Sequence, residues 1–468
     1  MNSVLVNEPL VFVDLETTGA NFANDRIMEI GIVQVDEHGA REWSSFVNPG
    51  IPIPQFITGL TGIHSGMVEN APRFEELAPL ILEKLKGRLF VAHNARFDYT
   101  FLKREFKQIG MEFRAPNLCT VKLSRKLFPA HHRHSLDSLI TRYGIRVADR
   151  HRALADARVL WDLWQHWSSV LPAESFNGTV AELVGRPELP PQIDPSLIDD
   201  LPEAPGAYAF FAGDGKLLLS KRCANVRQQV LAHFAAKNRD TAAVRGVERI
   251  EWKETAGEFG ARMGELELSS STRKPLDELC SWQLVQRSEG HYQPELAFAS
   301  SLDFASTPDL FGLYMNKKEA LLTLRKLVEA HHLCHSIVGL GVGKPGEACV
   351  GVKQKTCRGA CVGKEALAMH SARLMASMAK IKLAEWPYAG AIALIERDEF
   401  GMREDFHLLD RWRYLGVAHN ESEVYEMLNS RHETGFDPEI YRTANKFLKA
   451  GKLRVLPLKR MTADSPLL

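Results

Sequence analysis

Leu10-Val11-Phe12-Val13 is a short apolar run that reads as a buried strand ending at Asp14. Residues 27–35 alternate apolar and polar positions well enough to be its neighbour, with a turn at 36–39, and 41–47 reads as a third strand. Helical spacing follows at 77–85, 97–106, 134–143 and 153–167, where Leu160, Leu163 and Trp164 share one face. Leu89-Phe90-Val91-Ala92 is another buried strand between the first two helices. A strand meander followed by interleaved helices predicts an α/β layered sheet.

The pattern changes after residue 167. Residues 168–204 are polar and rich in proline (Pro187, Pro190, Pro191, Pro195, Pro202), which reads as a boundary with a linker over 171–200. Strands are expected at 207–211 and 216–220 and a helix at about 225–236. Residues 299–333 read as mostly helical, and further on come a helix at 364–379 and a strand at 391–396. A chain of 468 residues exceeds one ordinary core. Four segments result: 1–170, the linker, 201–285 and 286–468.

Charged residues make up 25% of the chain but the formal net charge is zero, so any case for nucleic-acid binding must rest on local patches. One runs over 121–152, with Lys122, Arg125, Lys126, Arg133, Arg142, Arg146, Arg150 and Arg152. A second runs from Lys344 to Lys382 through Lys353, Lys355, Arg358, Lys364, Arg373 and Lys380. Such clusters suit a phosphate backbone, although charge runs also occur as plain solvated surface. No apolar run approaches a bilayer span and the amino terminus lacks a signal-peptide pattern, so a cytoplasmic protein without membrane partners is expected.

Three acidic motifs carry the chemistry: Val13-Asp-Leu-Glu-Thr-Thr-Gly19, His93-Asn-Ala-Arg-Phe-Asp98 and His151-Arg-Ala-Leu-Ala-Asp156. Asp14 and Glu16 are two apart, so on a strand both point to one face. Asp98 and Asp156 would come from flanking helices, and His151 would sit just before the second of these. Four carboxylates and one base suit phosphodiester cleavage by two divalent cations about 4 Å apart, since Mg²⁺ and Mn²⁺ prefer carboxylate oxygens. His151 would take a proton from the attacking water.

Residues 9–167, on these motifs together with Leu60-Thr-Gly-Ile-His64, Cys119-Thr-Val-Lys-Leu123 and His134-Ser-Leu-Asp-Ser-Leu139, resemble the DnaQ-like 3′–5′ exonucleases of the DEDDh class, which include the epsilon subunit of DNA polymerase III. The resemblance implies a ribonuclease H-like mixed sheet flanked by helices. It also implies catalysis by Asp14, Glu16, Asp98, Asp156 and His151, with Thr17, Asn94 and Phe97 lining the terminal nucleotide. His131 and His132 read as solvated and His134 as a turn residue.

Residues 201–280 resemble the GIY-YIG nuclease module of UvrC and Cho, on Leu201-Pro-Glu-Ala-Pro-Gly-Ala-Tyr208 and Asn225-Val-Arg227. Tyr208, Arg227 and Glu265 are the matching candidates in this small α/β domain. The second signature reads Leu218-Leu219-Ser220, so the family tyrosine is missing and a degenerate module is expected. Cys334, Cys349, Cys357 and Cys361 form a soft-ligand set for an Fe–S cluster or Zn²⁺. Cys357-Arg-Gly-Ala-Cys361 resembles the UvrC cysteine region, which implies 4Fe–4S within a mostly helical carboxy-terminal region. Cys119, Cys223 and Cys280 read as packing residues.

The expectation is a metal-dependent exonuclease acting on 3′ ends of DNA in repair or replication-associated processing, with damaged duplex, a polymerase or excision-repair proteins as partners. A dual nuclease, a non-catalytic damage-recognition adaptor and an RNA exonuclease are the alternatives.

Overall fold

A computed structural model describes residues 9–147, 149–185, 189–235, 241–272, 276, 278–341, 347–399, 401–430 and 435–458. Pro187 and Lys344 lie outside the described residues. The chain divides into two compact units, one of residues 1–269 with 396–405, the other of 270–395 with 406–468.

The first unit begins with the expected meander. Strands β1 (Leu10–Thr17), β2 (Ile27–Asp36) and β3 (Gly39–Phe46) pair antiparallel. β4 (Leu89–Ala92) and β5 (Asn117–Cys119) add on parallel, giving the order β3-β2-β1-β4-β5. Alternation along β1 divides the core into two layers. Val11, Val13 and Leu15 pack with Phe101, Leu102 and Phe106 of the Arg96–Gln108 helix. Leu10 and Phe12 pack with Leu160, Leu163 and Trp164 of the Ala153–Val170 helix.

β1 is longer than its parallel neighbour. β4 pairs only with Leu10, Val11 and Phe12, so the last residues of β1 project past it with open backbone on that side. Clefts in α/β sheets form at such carboxyl ends.

On β2, Glu29 lies opposite Glu16 and Gly31 opposite Asp14. Cross-strand partners share a face, so Glu29 and Gly31 face the same helix as the two acids. The Glu29 carboxylate binds the Arg152 guanidinium (2.7 Å) and accepts from the Ala153 N–H (3.1 Å), fixing the head of the Ala153–Val170 helix. Gly31 gives that helix its room, because a Cβ there would lie 2.2 Å from the Ala153 carbonyl carbon.

The expected linker over 171–200 is in part a helix. Residues Ala173–Val184 fold back, and Phe176 and Val180 are buried in the core with Trp164, whose ring meets Phe176 edge-on at 5.1 Å. The prolines marked its surroundings, while the apolar spacing of Phe176, Val180 and Val184 went unread.

The unit continues with β6 (Gly206–Phe211), flanked antiparallel by β7 (Leu217–Cys223) and β8 (Arg249–Glu254). The Val226–Phe234 helix covers one face of this sheet, and the Glu258–Leu268 helix the other. Residues 396–405 complete the unit with three buried carboxylates. Glu396 accepts from the Phe259 and Gly260 N–H groups (2.9 Å each), Asp405 accepts from Ala256 N–H (2.8 Å), and Asp398 pairs with Arg96 (3.3 Å).

The second unit departs from the mostly helical expectation. β9 (Cys280–Ser288), β10 (His291–Phe298) and β11 (Leu310–Tyr314) form a sheet in the order β10-β9-β11. β12 (Ile392–Arg397), β13 (Glu404–Asp410), β14 (Arg413–Ala418) and β15 (Arg454–Pro457) form another in the order β14-β13-β12-β15. The leucine-rich Lys317–Ala330 helix dominated the sequence pattern, but period-two burial of Trp282 and Leu284 against Leu296 and Phe298 makes strands. β9 also runs through the expected boundary at 285/286, so that division falls inside a paired strand.

Gly31→Ala should overpack the contact between β2 and the Ala153–Val170 helix and destabilise the amino-terminal unit by about 1–3 kcal/mol. Urea unfolding followed by tryptophan fluorescence checks this, and an unchanged midpoint would refute the close-approach role of Gly31.

Candidate active site and cysteine cluster

The expected acidic residues meet at the projecting end of β1. A cleft of about 230 Å³ is lined by Asp14, Glu16, Asp98, Asp156 and His151, with Asn94 and Phe97 beside them. Asp98 enters from the first turn of the Arg96–Gln108 helix, on the opposite layer from Asp14. It reaches the site because the unpaired Leu15 N–H of β1 donates to its Oδ1 (3.1 Å). Asp156 comes from the first turn of the Ala153–Val170 helix. Glu16, His151 and Asp156 each offer a ligand atom, and these lie within 4.8 Å of one another.

Two backbone positions in the cleft are strained. Asn94, after β4, has φ 65°, and His151, before the Ala153–Val170 helix, has φ 63°. Left-handed backbone at non-glycine residues persists where surrounding structure over-determines it, often at functional sites.

The electrostatics are those of crowded anions. Desolvation by burial raises the Asp14 pKa well above the ordinary carboxylate range, and Asp98, Asp156 and Glu16 push it further. Glu16 is raised to about 8 by burial, then by Asp156, Glu29 and Asp98. Burial also raises Asp98 and Asp156, the latter opposed by Arg150 and His151. Asp156 Oδ1 is buried and accepts no hydrogen bond. Partnerless oxygen among mutually repelling carboxylates is what a divalent cation relieves.

Arg150 and His93 also line the cleft, and neither was assigned a site role from sequence. Arg150 binds Asp156 and Asp137 (2.8 Å to the latter), so it contributes the one guanidinium among the lining residues. Its position directly before His151 was the available signal, absorbed instead into a basic patch. Burial lowers the His93 pKa to about 4, and its Nδ1 lies 2.9 Å from Thr120 Oγ1. Thr17 does not line the cleft; its hydroxyl donates to the Gly19 carbonyl (2.6 Å). His134 is a turn residue as expected, holding Ser124 Oγ and the His131 carbonyl at 2.8 Å each.

Several basic residues of the 121–152 patch are paired within the chain, although none of them is buried. Lys122 pairs with Glu203, Lys126 with Glu182, Arg152 with Glu29, and Arg142 donates to the Arg133 carbonyl.

Tyr208, Arg227 and Glu265 do not gather. Tyr208 lies on the β6 face covered by the Val226–Phe234 helix, with its hydroxyl 2.7 Å from His233 Nε2. Glu265 belongs to the Glu258–Leu268 helix, whose Gly264 approaches Ala207 on the opposite face, and it pairs with Arg262 at 2.6 Å. The Arg227 guanidinium donates to the Ile198 carbonyl. Asn225 has a local reason for its position: its side chain caps the helix by accepting from Gln228 N–H (2.8 Å).

The four cysteines do gather. Cys349 Sγ lies 3.6 Å from both Cys334 Sγ and Cys357 Sγ, and the Cys361 sulfur accepts from Cys349 N–H (3.5 Å). His370 Nε2 accepts from Cys334 N–H at 3.0 Å. Lys353, Lys355, Arg358 and Lys364 beside the cluster are exposed and make no ion pair among the described residues.

The family model for the exonuclease matches residues 11–163, that for the UvrC/Cho excinuclease middle domain 279–380, and that for the excinuclease Cho C-terminal domain 391–462. Fold and site therefore define a hydrolytic 3′–5′ exonuclease fused to UvrC/Cho domains, a nuclease of DNA repair whose exonuclease fold depends on divalent metal. Excinuclease Cho of Salmonella typhi is 33% identical over 280 residues, 58% of this chain and 92% of that protein. The Shigella flexneri protein is 31% identical over 272 residues, 56% and 88%. The chain belongs to the excinuclease Cho family. Its amino-terminal part is also similar to a PolC-type DNA polymerase III of Caldanaerobacter subterraneus, 41% identical over 161 residues, 34% of this chain and 11% of that protein. Among solved structures, exonuclease X in complex with 5′ overhanging duplex DNA is 28% identical, covering 36% of this chain and 98% of that one, with a TM-score of 0.29. No helix among the described residues is long and apolar enough to cross a membrane.

The raised carboxylates set a pH dependence. In the folded chain Glu16 holds its proton up to about pH 8, against a usual value of 4.5, so between these the unfolded chain binds fewer protons and stability falls as pH rises. Glu16→Gln should therefore melt above the wild type near pH 8 in EDTA, with the difference vanishing toward the usual carboxylate pKa. A pH-independent difference in melting temperature would refute the assignment.

Proposed function

We propose that the cleft hydrolyses nucleotides from 3′ ends of DNA, with Asp14, Glu16, Asp98 and Asp156 holding two Mg²⁺ or Mn²⁺ ions and His151 as general base. The observation that carries this is the convergence of Glu16, His151 and Asp156 within 4.8 Å, beside an Asp98 held against β1. The residues fit the ions: their carboxylates are driven toward protonation by burial and each other, and Asp156 Oδ1 lacks a partner. When bound, the cations supply Lewis-acid activation of the scissile phosphate and stabilise the departing 3′ oxygen.

The remaining steps belong to this chain's own side chains. His151 takes the proton of the attacking water, and its strained backbone fixes the imidazole ahead of the helix. Asn94 and Phe97 line the cleft where the terminal nucleotide enters, the ring offering a stacking face. Arg150, tied to Asp137, offers a cation to phosphate charge. Cys334, Cys349, Cys357 and Cys361 are assigned a 4Fe–4S cluster, with Zn²⁺ the alternative; such a cluster would hold the loop that displays Lys353, Lys355, Arg358 and Lys364 to DNA.

His151→Ala should lower release of mononucleotides from a 3′-labelled strand by roughly 10²–10⁴-fold, and Asp14→Ala should abolish it. Wild-type rates in either variant would remove the mechanism, and cutting of closed circular DNA would reveal an internal incision activity instead. Metal analysis of the purified protein should find about four irons with matching sulfide. Zinc alone would overturn the cluster assignment.

A further inference from the structure

A second cavity lies in the other unit, and none of the site residues assigned above lines it. It measures about 460 Å³, within the size range of small-ligand sites, and five of its sixteen lining residues are aromatic: Phe304, Trp386, Tyr388, Trp412 and Tyr441. Its lining comes from segments in both the middle-domain match and the Cho C-terminal match, with the 383–389 connection between them. Ligand sites favour such junctions.

The rings are held in place. Trp386 Nε1–H donates to the Gly390 carbonyl (2.9 Å), and Tyr441 Oη accepts from Ala384 N–H (2.7 Å). Trp386 meets Trp412 edge-on at 5.1 Å and Tyr388 at 5.3 Å. Trp412 and Tyr441 are buried, whereas Trp386 and Tyr388 are only half-buried and leave aromatic surface open.

The backbone supports a ligand role. Arg411 (φ 46°) and Trp412 (φ 65°) form the two-residue turn between the paired Asp410 and Arg413 of β13 and β14. A turn with positive φ at both positions favours Asn-Gly, so Arg-Trp is held there at a conformational cost. The Trp412 indole N–H is buried without an acceptor, so no hydrogen bond accounts for the placement. Asp309 (φ 54°) also lines the cavity. Strained non-glycine residues of this kind collect at ligand clamps.

The rim charges narrow the ligand. Lys382 pairs with both Asp309 (2.7 Å) and Glu385 (2.9 Å), its single charge shared between the two carboxylates. Arg411 is exposed and makes no ion pair among the described residues, leaving one free cation at an aromatic pocket. Flat heteroaromatic rings attached to a phosphate fit that combination.

We propose that this cavity takes an unstacked nucleobase of a distorted DNA strand, stacked on the face of Trp386 with Tyr388 beside its edge and the adjoining phosphate at Arg411. The site is independent of the exonuclease cleft, and it would mark where helix continuity has failed.

The test uses the full chain and a closed dumbbell duplex, which has no 3′ end to digest, carrying one unpaired 2-aminopurine. The wild type should bind this probe more tightly than a fully paired dumbbell and change the 2-aminopurine emission. Trp386→Ala should weaken binding of the unpaired-base probe by about fivefold to a hundredfold, the range of one base–aromatic stack, while binding of the paired dumbbell and exonuclease rates stay unchanged. Arg411→Gln, an exposed change that leaves the ring cluster alone, should also reduce the preference. Equal affinity of the wild type for both dumbbells, or retention of the preference by both variants, would overturn the proposal. So would binding of free dAMP at this site without any response to the unpaired base, since the ligand would then be a mononucleotide.

Discussion

Repulsion among four carboxylates at the open end of one strand is the constraint that organises the amino-terminal unit. Asp14 and Glu16 point the same way because β1 alternates, and the fold then brings Asp98 from one layer and Asp156 from the other. Nothing in folding alone rewards that arrangement. Burial raises all four pKa values, and Arg150 is the one guanidinium lining the cleft. An arrangement that opposes stability is intelligible when the missing charge arrives as divalent cations, whose binding free energy adds to the folded state.

The surrounding structure supplies the rigidity that crowding requires. Glu29 anchors the helix that carries Asp156, and Gly31 lets that helix lie close over β2. Leu15 donates its N–H to Asp98 because β4 ends early. The devices involving Glu29 and Gly31 depend on β1–β2 register, since a slip of one residue would leave Asp14 and Glu16 on the opposite face from Glu29 and Gly31.

Legibility in the sequence followed the range over which each cause acts. The meander, β4 and the helices at 96–108 and 153–170 were readable because period-two and helical burial are local signals. The five site residues were readable because three short motifs carry them. Arg150 was not, since its meaning depends on Asp156 and Asp137 coming within reach of one guanidinium. Glu396, Asp398 and Asp405 were equally hidden: Arg403 lies close in sequence to two of them, but the backbone N–H groups and the arginine that tie them to the rest of the unit are well over a hundred residues away. The helix at 173–184 was lost among prolines, and the strands after 279 were lost beside a leucine-rich helix.

Buried acids in this chain fall into two kinds, and the difference lies in what the protein itself provides. Glu105 is gripped by two guanidinium nitrogens of Arg26 at 2.6 and 2.7 Å, Glu29 by Arg152 and a helix N–H, and Glu396 by two N–H groups heading a helix. Those carboxylates are satisfied by donors built into the fold, so they stabilise packing and offer nothing to a ligand. Asp156 keeps one oxygen buried with no donor, and Glu16 faces other acids. Burial therefore does not separate structure from function here. The unmet demand for positive charge does, and at the cleft it is concentrated within reach of a histidine.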